Sequence, residues 1–222
     1  MPTLMQYAYI AQEVYRPFTD GQRCLTPDFG CNPGFCRNDR PASLGGDLLS
    51  SGLQGRVFFH DRSNAAVIAF KGTEPNYAGT GRAMVSDFVA DLAVTMPLLI
   101  PRQVAEALAL VATWKHRLKG YHLTLTGHSL GGAIVQVVGL ACDIRFVAFN
   151  GPGMWTNSWG AAGLKGMRNA DSNGVNYILQ DFIGRRFVHC GRVVDVPSLG
   201  HGMVSVIEAL ENHGDRDKDP LA

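Results

Sequence analysis

A chain of 222 residues that is 46% hydrophobic and 18% charged can bury a full core, which excludes a disordered tail protein. Twenty Lys and Arg against 19 Asp and Glu leave a net charge of +1, so nothing electrostatic draws the chain to nucleic acid. No apolar run reaches the ~18 residues of a membrane span, and "MPTLMQYAYIAQEVY" lacks the basic start of a secretory leader. The expectation is a protein cytoplasmic at synthesis, with leaderless secretion left open.

Leu4, Ala8, Ala11 and Tyr15 recur at helical spacing and predict an opening helix within residues 2–15. From about 17 to 50 the chain is rich in Gly, Pro, Asp and Asn and reads as a loop insertion. Cys24, Cys31 and Cys36 lie there at a spacing that matches no close-pair zinc pattern. A loop of inert thiols is the favoured reading of this cluster; an internal disulfide with one cysteine left over, or a metal site despite the poor spacing, are the alternatives. Cys142 and Cys190 sit in apolar surroundings and read as buried thiols. "GRVFFHDRSNAAVIAF" predicts two strands, Arg56–His60 and Ala65–Phe70, joined by a turn over Asp61–Asn64. Beyond Met84, the residues Val85, Phe88, Leu92 and Met96 form one helical stripe, with Asp87 and Asp91 beside it.

Pro101 opens a helix at the position proline tolerates best, and Gly120 follows its end. Val104, Leu108, Val111, Trp114 and Leu118 make its buried face. A strand at Tyr121–Thr126, a helix from about Leu130 to Ala141 and a strand at Ile144–Phe149 follow. Strands at Val175–Leu179 and near Arg192–Val196 precede a closing helix at Met203–Leu210. This alternation predicts a single α/β domain over residues 1–222, with a mostly parallel central sheet and helices on both faces.

"LTLTGHSLGGA" breaks local propensity in its middle, where Gly127-His128-Ser129-Leu130-Gly131 fits G-x-S-x-G between a strand and a helix. At that junction a sharp turn lifts a serine Oγ above the sheet edge, and flanking glycines let strand and helix approach without Cβ clashes. Ser129 is thereby read as a nucleophile, with Gly127 and Gly131 as its elbow. The N–H of Leu130, at the positive end of the helix, is aimed at a developing oxyanion. A second donor is expected from "VIAFKGTEP", where Gly72 permits a tight turn that presents the Thr73 N–H.

Together, "AFKGT", "SDFVADL" and "TGHSLGGA" resemble the class 3 lipase family of α/β-hydrolases, and "FVAFNGPG" is similar to the strand and Gly-Pro turn after the elbow helix. The resemblance covers roughly residues 50–210, and Lys71 departs from the family's usual Arg. It implies the α/β-hydrolase fold and hydrolysis of carboxylic esters of lipids, without metal or cofactor. The expected partner is a lipid or acyl-ester substrate, with transient contact to a lipid surface; oligomeric state stays undetermined. The stripe over Met84, Val85, Phe88, Leu92 and Met96 occupies the lid position, or else is a fixed core helix. Two other readings stay open: an esterase, thioesterase or acyltransferase on soluble acyl compounds, and a catalytically silent binding module.

Members of that superfamily place the triad in the order Ser, acid, His. Of seven histidines, His189, His201 and His213 follow the serine at a suitable distance. His189 reads as a packed strand residue and His213 as part of a solvated tail. His201, on a Gly-flanked loop before the last helix, is the expected general base. Asp181, at the carboxyl end of "VNYILQD", is the favoured acid. Asp195, within "RVVDVPSL", is the alternative, which the resemblance favours a little through the family's D-x-V-P near this region.

Overall fold

Ala65–Phe70 sends successive side chains to opposite faces, as a strand must, and both faces are apolar. Ala66, Ile68 and Phe70 join one buried cluster, while Ala65, Val67 and Ala69 join the other. Such a strand belongs at the centre of a sheet covered on both sides. The computed structural model describes residues 1–16, 30–31, 53–72, 102–153, 174–180, 184–185, 188–197 and 200–222. Most of the 17–50 insertion with Cys24 and Cys36, as well as Thr73, the Met84–Met96 stripe, Pro101 and Asp181, lies outside the described residues.

In chain order the elements are α1 (Leu4–Glu13), β1 (Gly30–Cys31), β2 (Gly55–His60), β3 (Ala65–Phe70), α2 (102–117), β4 (His122–His128), α3 (Leu130–Cys142), β5 (Phe146–Phe149), β6 (Gly174–Leu179), β7 (Arg192–Val196) and α4 (Met203–Glu211). Among the described residues the strands form one seven-stranded sheet in sequence order. β1 and β2 pair antiparallel at one edge, as do β2 and β3, and every pairing from β3 to β7 is parallel. The predicted turn over Asp61–Asn64 is a short 3-10 turn over Asp61–Ser63, closed by Asn64 at φ +48°.

The connections place the helices. β3–α2–β4 and β4–α3–β5 step across the sheet in one direction, so crossovers of one hand put both helices on one face. Val104, Val111 and Trp114 of α2 pack there with Ile134, Val135 and Val138 of α3. On the other face α1 and α4 pack together, Leu4, Tyr7 and Ile10 against Val206, Ile207 and Leu210. α1 starts in a capping box, in which Thr3 Oγ1 accepts from the Gln6 N–H and Gln6 Oε1 from the Thr3 N–H, at 3.3 and 2.8 Å. Its buried Tyr7 hydroxyl donates to Thr124 Oγ1 at 3.0 Å, fixing the helix across β4. Among the described residues no helix is long and apolar enough to cross a membrane. The chain thus brings the carboxyl ends of β3, β4, β5 and β6 to one edge of the sheet, where open α/β sheets hold their ligands.

Candidate active site

One residue separates β4 from α3, and it is Ser129. Its φ of 54° and ψ of −124° lie outside the regions an L-residue favours, which costs about 1–3 kcal/mol and persists only because its surroundings fix it. The Ser129 N–H donates to the Phe149 carbonyl at 3.0 Å, and its own carbonyl accepts from the Ala133 N–H at 3.0 Å. A Cβ on Gly127 would meet the Gly131 carbonyl carbon and oxygen at 2.5 Å, and one on Gly131 would run into the Phe70 carbonyl. The two glycines therefore permit the approach of strand, helix and β3 that presents the serine. Buried Gln136, one turn further along α3, donates to the Gly132 and Pro152 carbonyls and accepts from the Cys190 N–H, at 3.2, 3.0 and 3.1 Å. It ties the helix to the Gly-Pro turn after β5.

His201 arrives from the far end of the chain. Gly200, at φ +126°, swings the backbone into a conformation that side chains rarely adopt, and Gly202 caps α4. The imidazole Nε2 stands 2.8 Å from Ser129 Oγ, at hydrogen-bonding distance. Behind the ring is Asn150, which follows β5 at φ +49° and is fully buried. The Leu179 N–H donates to Asn150 Oδ1 at 3.1 Å, so the amide must turn its NH2 towards His201. There Nδ2 lies 3.1 Å from the imidazole Nδ1 and 3.3 Å from the His201 carbonyl oxygen.

A second chain of hydrogen bonds runs beneath the serine. His128 Nε2 donates to the His201 carbonyl at 2.7 Å, and Nδ1 of the same ring is 2.9 Å from the Tyr15 hydroxyl. That hydroxyl also accepts the Gly72 N–H at 2.9 Å. A Cβ on Gly72 would strike the Tyr15 hydroxyl and approach the His128 carbonyl oxygen to 2.6 Å and Ser129 Cβ to 3.1 Å. The chain at Gly72, just beyond β3, therefore packs directly on the elbow. Leu130, whose N–H is the first expected oxyanion donor, begins α3, and the first turn of that helix carries no acidic side chain to oppose an anion.

The structure thus brings Ser129, His201, Leu130 and Gly72 to one place. Asp195, the alternative acid, sits elsewhere in bonding terms: its carboxylate is 66% exposed and accepts from Arg185 Nη2 at 2.7 Å. His189, read as a packed strand residue, lies between β6 and β7 rather than in a strand; it is half-buried, and its burial pulls it below the ordinary imidazole range, with the Gly184 backbone opposing in part. His213 corrects an expectation. It is not a solvated tail residue, for its ring meets Tyr177 edge-on at 6.1 Å and its Nδ1 accepts the Asp215 N–H at 3.2 Å. Of the two cysteines read as buried, Cys190 is, and burial pushes its thiol up to about 12; Cys142 is only half-buried.

Tyr15, His128 and Asn150 complete the site without being candidates from the sequence. His128 ends β4 directly before the serine, and its ring reaches the Tyr15 hydroxyl and the His201 carbonyl. Tyr15 carries no local signal beyond being one more position of the opening helix's spacing. Asn150 had one: an Asn followed by Gly-Pro-Gly directly after an apolar strand marks a left-handed turn residue.

The family model described as a Tle-like phospholipase domain, within a phospholipase-like group, matches residues 6–181, most of the chain. Among solved structures, the Lip2 lipase of Yarrowia lipolytica is similar in fold, with 14% identity and a TM-score of 0.53 over 90% of this chain and 80% of that one. A triacylglycerol lipase of Penicillium expansum aligns at 14% identity over 99% of this chain and 90% of its own, with a TM-score of 0.46. No curated protein matches the chain.

Proposed function

Because the chain belongs to the Tle-like phospholipase domain family, we propose that it hydrolyses carboxylic esters of lipids, phospholipids foremost, through an acyl-enzyme on Ser129. The observation that carries this reading is the 2.8 Å separation of His201 Nε2 from Ser129 Oγ, reached across 72 residues of chain. In the proposed first step His201 takes the hydroxyl proton as Oγ attacks the ester carbonyl, then returns it to the leaving alcohol or lysolipid. Water, deprotonated by the same nitrogen, releases the fatty acid. The Leu130 N–H and the Thr73 N–H are the proposed oxyanion donors, a role favoured by the helix start at Leu130 and by the packing of Gly72 on the elbow.

The acid in this reading is Asp181. Two findings support it over Asp195. The Asp195 carboxylate is exposed and taken up by Arg185. Asp181 comes two residues after Leu179, whose N–H is bound by the Asn150 side chain that faces His201 Nδ1. Contact with the lipid is transient in this proposal.

The test is hydrolysis of phosphatidylglycerol and phosphatidylethanolamine vesicles, triglyceride emulsion and nitrophenyl butyrate, each with Ser129→Ala as control. Fatty acid release from vesicles that vanishes in the variant supports the reading. Cleavage of the soluble ester alone, unchanged by aggregation, would favour a soluble-ester hydrolase instead.

A further inference from the structure

Three hydrogen bonds join parts of the site that are far apart in sequence. His128 Nε2 faces the His201 carbonyl oxygen at 2.7 Å, and a carbonyl can only accept, so Nε2 carries the proton. In the neutral ring Nδ1 is then an acceptor, and the Tyr15 O–H, 2.9 Å away, is its donor. With its proton given to Nδ1, the Tyr15 oxygen has lone pairs left, and it accepts the Gly72 N–H at 2.9 Å. Each donor meets an acceptor, in one direction, from the strand end before Thr73 to the main chain of His201. Tyr15 Oη also lies 3.5 Å from the His128 carbonyl oxygen, and the two rings meet edge-on at 5.8 Å. His128 itself is 5% exposed, and the fully buried Asn150 makes the second side-chain approach to the His201 carbonyl.

We propose that Tyr15 and His128 act as one positioning pair, which couples the oxyanion-side turn at Gly72 to the backbone of His201. This rests on the hydrolase reading above and adds residues that touch neither substrate nor the reacting atoms. Attack on an ester needs Oγ, the imidazole and the oxyanion donors in register together, and a 1 Å misplacement can cost on the order of a hundredfold. Main-chain hydrogen bonds to Phe149 and Ala133 hold Ser129 at both its N–H and its carbonyl, whereas His201 follows Gly200 at φ +126° and Gly72 stands beyond the end of β3. The pair holds both loops to the residue before the serine. Tyr15, one residue past the end of α1 and its C-cap Val14, also makes the opening helix part of the site.

The test compares Tyr15→Phe, His128→Gln, His128→Leu and the Tyr15→Phe/His128→Gln double variant. Readouts are kcat and KM on nitrophenyl butyrate, the rate of fluorophosphonate labelling at Ser129, and thermal midpoints. Tyr15→Phe is expected to lower kcat and the labelling rate about tenfold to a hundredfold, with KM little changed and the chain still folded. The Gln amide nitrogen can replace Nε2 as donor to the His201 carbonyl. His128→Gln should therefore retain at least tenfold more activity than His128→Leu, although Leu fills similar volume. Losses in the double variant should not multiply. In the wild type, long-range proton–nitrogen spectra should show His128 protonated on Nε2, whatever the activity. Tyr15→Phe within twofold of wild type, His128→Gln no better than His128→Leu, multiplying losses, or a mixed His128 tautomer would each overturn the coupling. A wild type that neither turns over nor labels at Ser129 would instead sink the hydrolase reading, and the His128 tautomer would still decide the coupling.

Discussion

Asn150 turns its amide NH2 on His201, with Nδ2 3.1 Å from the imidazole Nδ1 and 3.3 Å from the His201 carbonyl oxygen. The Leu179 N–H on Oδ1 fixes that orientation. One NH2 can thus serve the carbonyl when Nδ1 is protonated, and Nδ1 when the proton sits on Nε2. Asn150→Gly keeps the backbone at its φ of +49° while deleting the amide. It is expected to lower kcat about tenfold at nearly constant KM. Stability should fall by about 1–3 kcal/mol, because the buried Leu179 N–H loses its acceptor. Steady-state kinetics beside a urea titration measures both.

The two candidate acids should separate cleanly. Asp181→Asn is expected to reduce kcat by about 10⁴, the scale on which a triad His loses its correct tautomer. Asp195→Asn removes an exposed pair with Arg185, worth at most about 1 kcal/mol, and should leave kcat within a few-fold. Parallel kinetics of the two variants is the check, and reversed results would assign the acid to Asp195.

Elbow geometry predicts a stability difference between glycines. Gly127→Ala puts a methyl 2.5 Å from the Gly131 backbone, whereas a Cβ at Gly214 meets nothing within 4 Å. All three atoms that the methyl would meet are backbone of Gly131 and Gly132, not the end of a flexible side chain, so Gly127→Ala should lose about 3 kcal/mol or fail to fold. Gly214→Ala should melt within a degree or two of the parent. Differential scanning fluorimetry reads both.

Burial of His189 gives the acid limb of stability a definite sign. Its folded value is lowered, so below the ordinary imidazole range the unfolded chain takes up a proton that the folded chain resists. Stability from this group is complete above about pH 6.5 and declines as pH falls from there towards the depressed folded value. Replacing His189 with Gln should flatten that part of a melting-temperature profile between pH 7 and 5.

Much of this architecture is legible in the sequence. Strand and helix periods predicted the core elements within two residues, because β3, β5 and the α3 helix are apolar on the faces that the two clusters bury. Ser129 declared itself through the glycines that its turn needs, and His201 through the Gly-flanked loop before α4. What stayed hidden was relational. Tyr15 and His128 matter through a hydrogen bond spanning 113 residues, which no local period encodes. Asp195 stands on a strand before a Pro as a triad acid could, and its exposed contact with Arg185 is a relation that no local sequence pattern encodes.

The most direct test of the central claim is intact-protein mass spectrometry after a fluorophosphonate, set beside fatty acid release from phospholipid vesicles. One adduct is expected, mapped to Ser129, with release lost by about 10⁶ in Ser129→Ala and labelling suppressed in His201→Ala. Vesicle hydrolysis that survives in Ser129→Ala, or labelling of Ser129 indifferent to loss of the His201 imidazole, would contradict it.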